Sequence, residues 1–288
     1  MGGILTYFLQ ENHYEARFPI DYVPYSGQPR TEVVIEGVPY SLVIDLGSPF
    51  WLSLKNEILE KIEKQPTGNV ISIDIKGHQY TSQAYIIPQI KIRNLSIMKV
   101  HVTEEGPGFL SKGSLVYDNT EGLPNPKLGR IGRGLFLAAR ANLFLDFHNS
   151  VMFACCHLKD RKKDGYRPEI FTPAPFYLSR EEGIILEFDT DFGRRRFMLD
   201  TGSTKSVIKP SLVKNFPQEI RFGAITCHST KFILGGKDFG DIDFFLFEMD
   251  SLFDGIDGII GMDFLKEHAV YLDFEKKIAH IAKSTECF

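Results

Sequence analysis

The sequence predicts an all-β chain of two related lobes with a cleft between them and few short helices. Three observations predict it. An apolar run ending in Asp, one further residue, Gly and Ser occurs twice, as Leu42-Val43-Ile44-Asp45-Leu46-Gly47-Ser48 and Phe197-Met198-Leu199-Asp200-Thr201-Gly202-Ser203. Further landmarks follow both runs in the same order. The 288 residues are 43% hydrophobic, with 24 Phe and 11 Tyr, which provides for a sizeable core and favours strands.

In chain order, residues 33–40 read as a hairpin arm leading into the first Asp strand. Leu42 to Ile44 reads as a buried strand, and Gly47, two residues past the carboxylate, as a tight turn. Ile58, Leu59 and Ile62 have helical spacing within residues 56–64, with Asn56 as the cap. Ile71, Ile73 and Ile75 alternate with polar residues and Lys76-Gly77-His78 supplies a turn, so residues 70–87 read as a β-hairpin. Residues 104–128 hold Gly106, Pro107, Gly108, Gly113, Gly122, Pro124 and Pro126 and read as an irregular loop. Gly129-Arg130-Ile131-Gly132-Arg133-Gly134-Leu135-Phe136 then gives a strand ending in Ile-Gly and a short helix. Leu143-Phe144-Leu145-Asp146-Phe147 and Val151-Met152-Phe153 close the half as a terminal hairpin.

The second half repeats this order. Residues 184–188 and 189–193 precede the Asp200 strand, and residues 209–215, entered through Pro210, are the counterpart of the first helix. Residues 222–234 read as a second hairpin. Gly258-Ile259-Ile260-Gly261-Met262-Asp263-Phe264-Leu265 matches the first Ile-Gly segment. Val270-Tyr271-Leu272-Asp273-Phe274 and residues 278–281 match the first terminal hairpin. Asp146 and Asp273 occupy equivalent places in those hairpins and read as structural. Arg194-Arg195-Arg196 reads as a solvated hairpin arm. Between the halves, Lys159-Asp160-Arg161-Lys162-Lys163-Asp164-Gly165 with Pro168, Pro173 and Pro175 reads as an exposed linker. The expected division is lobe one at residues 1–158, a linker at 159–181 and lobe two at 182–288.

Together these motifs resemble the pepsin and retropepsin superfamily of aspartic endopeptidases, over nearly the whole chain from Thr31 to Ile281. The resemblance implies two retropepsin-like β-barrel lobes related by a pseudo-twofold axis, with Asp45 and Asp200 as the catalytic carboxylates. Gly47 and Gly202 let the turn backbone lie close to the acids. By the same resemblance Ser48 and Ser203 donate hydroxyl hydrogen bonds to the outer carboxylate oxygens, and Thr201 bonds across to the facing turn. Leu46 departs from the family pattern, which has Thr or Ser there, and cannot return that contact. The resemblance also implies a flap, placed at residues 70–87 with Gly77 in its turn, Tyr80 as the flap tyrosine and Trp51 as its partner. Residues 222–234 would give a second flap.

Two adjacent carboxylates do not both ionise cheaply, so such a pair shares one proton and can activate a water molecule. The expected activity is peptide-bond hydrolysis without a covalent intermediate, a cofactor or a metal. A protease-like module that binds extended peptides without cutting them is the rival, motivated by Leu46. A homodimer in which only one lobe supplies acids is a third reading.

Other classes are excluded or disfavoured. A net charge of −4 offers no basic field to nucleic acid. No apolar stretch approaches the ~20 residues of a membrane span. No phosphate loop or Gly-x-Ser-x-Gly elbow is present. Cys155, Cys156, Cys227 and Cys287, with His157 and His228, fit no standard zinc spacing and no disulfide framework, which favours a reducing compartment such as the cytoplasm. Residues 1–10 lack the basic start and long apolar core of a signal peptide, their match to a myristoylation pattern is discounted, and no long pro-segment is evident before lobe one. The expected partner is a peptide or protein substrate, and the expected state a monomer.

Overall fold

The structure, a computed structural model, describes residues 15–24, 26–105, 128–154, 156–221 and 223–288. The N-terminal residues, most of the expected irregular loop, Cys155 and Phe222 lie outside them.

Each half is built round the same unit. In the first, Pro29–Ile35 alternates buried and exposed positions and turns back through Glu36-Gly37 into Val38–Asp45. Both turn residues have positive φ, 50° and 81°, the geometry that matches the twist of paired strands. The last four residues of that second strand are all buried, because a parallel partner, Gly129–Gly132, lies on its other side. The register places Ile44 opposite Ile131 and Asp45 opposite Gly132. In the second half, Gly183–Thr190 pairs with Gly193–Leu199, which runs parallel to Gly258–Ile260 with Met198 opposite Ile259. The landmarks that repeat in the sequence are therefore the strands flanking each Asp. Each Ile-Gly leads into a short helix, Arg133–Ala138 or Met262–Leu265.

The terminal hairpins join the halves. Leu143–Asp146 and His268–Asp273 lie side by side, antiparallel, with Leu143 opposite Leu272, Phe144 opposite Tyr271 and Leu145 opposite Val270. The strands that lead into the two Leu-Asp-Phe turns thus pair with each other within one continuous sheet. Asp146 is fully buried beside this seam and accepts hydrogen bonds from Tyr166 Oη (2.9 Å), Ser284 Oγ (3.0 Å) and Asn149 Nδ2 (2.7 Å). Its role is structural, as its repeated position suggested. Lobe two is filled by phenylalanine: Phe188 stacks on Phe232 at 4.0 Å and Phe197 on Phe244 at 5.1 Å. Each buried ring stabilises the fold by about 1.5–3 kcal/mol relative to exposure.

Four expectations need correction. The helix after the first Asp turn is only Asn56–Leu59, with Lys55 rather than Asn56 at the N-cap, because the chain leaves it for the long strand Gln65–Ile73. Its lobe-two counterpart is a single 3-10 turn, Pro210–Leu212. The charge run between the lobes is exposed at Lys159, Lys162, Lys163 and Asp164, as expected, but one member is not. Arg161 in the 3-10 helix Leu158–Asp164 is fully buried, bonded to Glu15 and Asp164 and stacked 4.0 Å from the Phe153 ring. Beyond it, Thr172–Ser179 carries Pro173 and Pro175 in a strand between Ile278–Lys283 and Gly183–Thr190. The second hairpin is formed by Gln218–Arg221 and Ala224–Ser229, so it begins four residues earlier than expected and ends before Leu234.

Cys156, Cys227 and Cys287 are buried free thiols. Among the described residues no helix is long and apolar enough to cross a membrane. Replacing Asp146 by Ala leaves the buried hydroxyls of Tyr166 and Ser284 unpaired at the seam between the halves, and we expect a loss of about 2–3 kcal/mol in denaturant unfolding.

Candidate active site

The two Asp turns are made alike. Ser48 N–H donates to the Asp45 carbonyl (3.1 Å) and Ser203 N–H to the Asp200 carbonyl (3.3 Å). The Ser48 and Ser203 carbonyls in turn accept from the first residue of the following helix, Arg133 (2.9 Å) and Met262 (2.8 Å). Each turn is thereby locked to its own lobe, and the two turns face each other. A Cβ on Gly47 would stand 2.5 Å from the Asp200 carboxyl, and one on Gly202 would stand 2.6 Å from Asp45 Oδ1. Only glycine permits that approach.

At this interface Asp200 Oδ1 accepts from Gly202 N–H (2.8 Å) and, across the lobes, from Gly47 N–H (3.2 Å). Asp45 Oδ1 accepts from Ser48 N–H (3.1 Å). Burial, then the negative charge of Asp45, raise the Asp200 carboxyl to about 7, against the opposing pull of the two glycine amides.

Behind the acids the brace is one-sided. Leu46 N–H donates to Thr201 Oγ1 (2.9 Å), whose own proton goes to the Ile44 carbonyl (2.7 Å). Leu46 returns no such bond and is fully buried in the core. Arg133 supplies further bracing. It is 1% exposed, and its guanidinium donates to the Leu46 carbonyl (3.4 Å) and to the carbonyls of Gly47 and Arg180. Gln28 Nε2 similarly holds the Gly202 carbonyl. Burial lowers the Arg133 pKa, and the nearby Asp45, Asp200 and Glu181 offset part of that.

The serine hydroxyls do not take the expected roles. Ser203 Oγ donates to the Lys205 carbonyl (2.8 Å), because the chain beyond the turn folds back within its reach. Ser48 reaches Asp45 through its backbone amide, while the second carboxylate oxygen, Oδ2, pairs with Arg130 Nη1 at 2.7 Å. Arg130 Nη2 pairs with Glu105 at 2.6 Å, and all three side chains are largely buried. Burial alone favours the neutral guanidine, but Glu105 and Asp45 outweigh it and hold Arg130 charged beyond its ordinary range.

The predicted flap is the hairpin of Gln65–Ile73 and Gln79–Ile92. Asp74 organises its tip, accepting from Lys76 N–H and His78 N–H (both 2.9 Å), His78 Nδ1 (2.8 Å) and Tyr80 Oη (3.1 Å). Burial opposes ionisation of Asp74, but these bonds hold its carboxyl below the ordinary range. The tip rests on lobe two: Asp250 N–H donates to the Ile75 carbonyl (2.9 Å), Ile75 joins a lobe-two apolar cluster, and Lys76 Nζ lies 5.4 Å from the Phe247 ring centre. Tyr80 and Trp51 do not serve as the expected pair in the way their spacing suggested. The Tyr80 hydroxyl is engaged by Asp74, and the Trp51 ring packs edge-on against His101 at 4.9 Å.

Comparison of the whole chain with solved structures places it beside an aspartic proteinase from Irpex lacteus (TM-score 0.64, 15% identity, 94% of this chain and 97% of that one covered). Conglutin gamma, a basic 7S globulin from lupine seeds, is similar at TM-score 0.61 and 10% identity, with 93% and 95% covered. So is the basic 7S globulin from soybean, at 0.62 and 10%, with 95% and 98% covered. The chain has the pepsin-like fold. No family model matches the sequence, and no curated protein does either. One pepsin-like neighbour is named as a proteinase and two as 7S globulins, so the fold by itself does not select proteolysis.

Sequence reasoning missed Arg130 and Arg133, although a signal was present. Aligning the two Ile-Gly segments puts Arg130 against Ile259 and Arg133 against Met262. A charge that breaks the apolar half of an internal repeat marks a place where the pepsin-like halves differ in task. Glu105 carries no comparable signal.

Two predictions follow from the braces. Replacing Thr201 by Val orphans the Leu46 amide and the Ile44 carbonyl, and calorimetry or denaturant unfolding should show a loss of about 2–3 kcal/mol. Gly77 has φ +85°, and a Cβ there would stand 2.3 Å from Asp250 Oδ2. Gly77→Ala should therefore loosen the tip from lobe two, read as faster hydrogen exchange at the Asp250 amide with little change at the strands flanking Asp45.

Proposed function

We propose that the chain is an aspartic endopeptidase that hydrolyses peptide bonds with a water molecule activated between Asp45 and Asp200. The observation that carries this reading is the meeting of two buried carboxylates from facing turns, with the Gly47 amide of one turn held by Asp200 of the other. One ionised carboxylate takes a proton from the water as its oxygen attacks the scissile carbonyl carbon. The protonated partner hydrogen-bonds the carbonyl oxygen and stabilises the charge that develops there. Collapse of the tetrahedral intermediate breaks the C–N bond, and the departing nitrogen takes the proton that the first carboxylate had drawn from the water, which returns that carboxylate to its ionised form. The substrate is an extended peptide or protein segment, lying in a cleft bridged by the 65–92 hairpin. No cofactor is needed. One chain supplies both acids, residues 1–158 the first and residues 182–288 the second, which suits a monomer.

A second reading, a module that binds extended peptides without cutting them, is favoured by the Arg130 pair on Asp45. It also draws on the one-sided Thr201 brace and on the globulins among the structural neighbours.

The deciding experiment compares wild type with Asp200→Asn on a mixed peptide library followed by mass spectrometry from pH 3 to 9. Cleavage by wild type and none by the variant is the expected result. Peptide binding without cleavage at any pH would replace the first reading by the second. Where cleavage occurs, its rate should fall about tenfold per pH unit above about 7, as Asp200 loses the proton that it must offer.

A further inference from the structure

We propose that Arg130, braced by Glu105, is a positioning residue that fixes the negative charge of the pair on Asp45 and leaves the shared proton on Asp200. The proposal rests on the reading of the pair as a water-activating dyad, and it assigns the roles within it: Asp45 takes the proton of the water, and Asp200 serves the substrate carbonyl.

The argument is made oxygen by oxygen. A guanidinium only donates hydrogen bonds. Asp45 Oδ2, 2.7 Å from Arg130 Nη1, therefore accepts and does not carry a proton. Asp45 Oδ1 accepts the Ser48 amide and faces the other turn. Asp200 is different. Its Oδ1 already accepts two amides, from Gly202 and Gly47, which leaves Oδ2 as the oxygen that can hold a proton. A full positive charge therefore touches only one of the two acids. Symmetric turns alone would not distinguish them.

Glu105 sets how much of that charge Asp45 receives. It pairs with the other arm of the same guanidinium at 2.6 Å, at the end of the strand Leu95–Glu104 and beside a small polar cavity that Arg130 and Ser48 also line. Other charged groups near the dyad include Arg133 behind the first turn and Glu181, which acts on Arg133, and Lys76 is at the hairpin tip. The hairpin tip adds Asp74, paired with His78. Of these, Arg133, Glu181, Asp74 and His78 make no ion pair with Asp45 or Asp200. Arg130 is thus the group whose removal changes the division of charge most directly.

The test titrates the protein labelled with 13C at the Asp carboxyl carbon, following the two signals that disappear in Asp45→Asn and Asp200→Asn. The dyad loses its first proton in one macroscopic step. In Arg130→Gln that step should move up by about one unit or more, because the favourable cation is gone. In Glu105→Gln it should move down, because a negative charge is removed from the other arm of the guanidinium. Opposite shifts support the proposal. No movement in either variant overturns it, and so does movement of both in one direction, as general loosening of the site would give. If Arg130→Gln does not fold, a downward shift in Glu105→Gln supports the proposal and its absence overturns it. Turnover is not part of this readout. A wild-type protein that cleaves nothing would remove the endopeptidase reading and leave the titration to decide the charge assignment.

Discussion

Two carboxylates brought together away from water cannot both be charged without a large penalty, and the centre of this molecule is organised round that constraint. Nothing local to either turn creates it. It arises because the seam between Leu143–Asp146 and His268–Asp273 joins the halves, and because glycine at positions 47 and 202 lets each turn lie on the other's acid. Once the acids are so placed, every neighbouring donor matters. Backbone amides at Gly47 and Gly202 favour charge on Asp200, burial and Asp45 oppose it, and the balance keeps Asp200 protonated to about 7.

The two halves share a plan and divide its tasks. In the second half the turn carries Thr201, which binds the backbone of the first turn in both directions, donating to Ile44 and accepting from Leu46. In the first half the equivalent side chain is the buried Leu46, and the missing polar brace is replaced by a guanidinium from the helix behind it, Arg133. An arginine buried on carbonyls is an expensive substitute for a threonine hydroxyl. It also brings a positive charge toward the acids, which a hydroxyl would not. The departure at Leu46 and the presence of Arg133 are thus two sides of one change.

Much of this was legible in the sequence. The strand-turn pattern round Asp45 and Asp200, the Ile-Gly segments and the Leu-Asp-Phe hairpins depend on local rules of apolar burial and turn geometry, and they occur twice. The hairpin expected at residues 70–87 was legible for the same reason, although its strands run on to Gln65 and Ile92. Less was visible where partners are remote in sequence. Arg161 looked like part of a solvated charge run, yet Glu15, Asp164 and the Phe153 ring enclose it. Ser203 looked like a donor to its own turn's acid, yet the Lys205 carbonyl is closer to hand. Tyr80 and Trp51 were paired by spacing alone, and spacing does not say that Asp74 engages one while His101 packs on the other.

The sequence by itself determined the all-β duplication and the two equivalent Asp turns, because both follow from short-range patterns repeated in one order. The tertiary structure alone decided what surrounds those acids. The parallel register that sets Val43 opposite Arg130 brings a cation to Asp45, and the end of a separate strand brings Glu105 to that cation. Such contacts join residues tens of positions apart through the pairing of strands, and no local rule of sequence contains them.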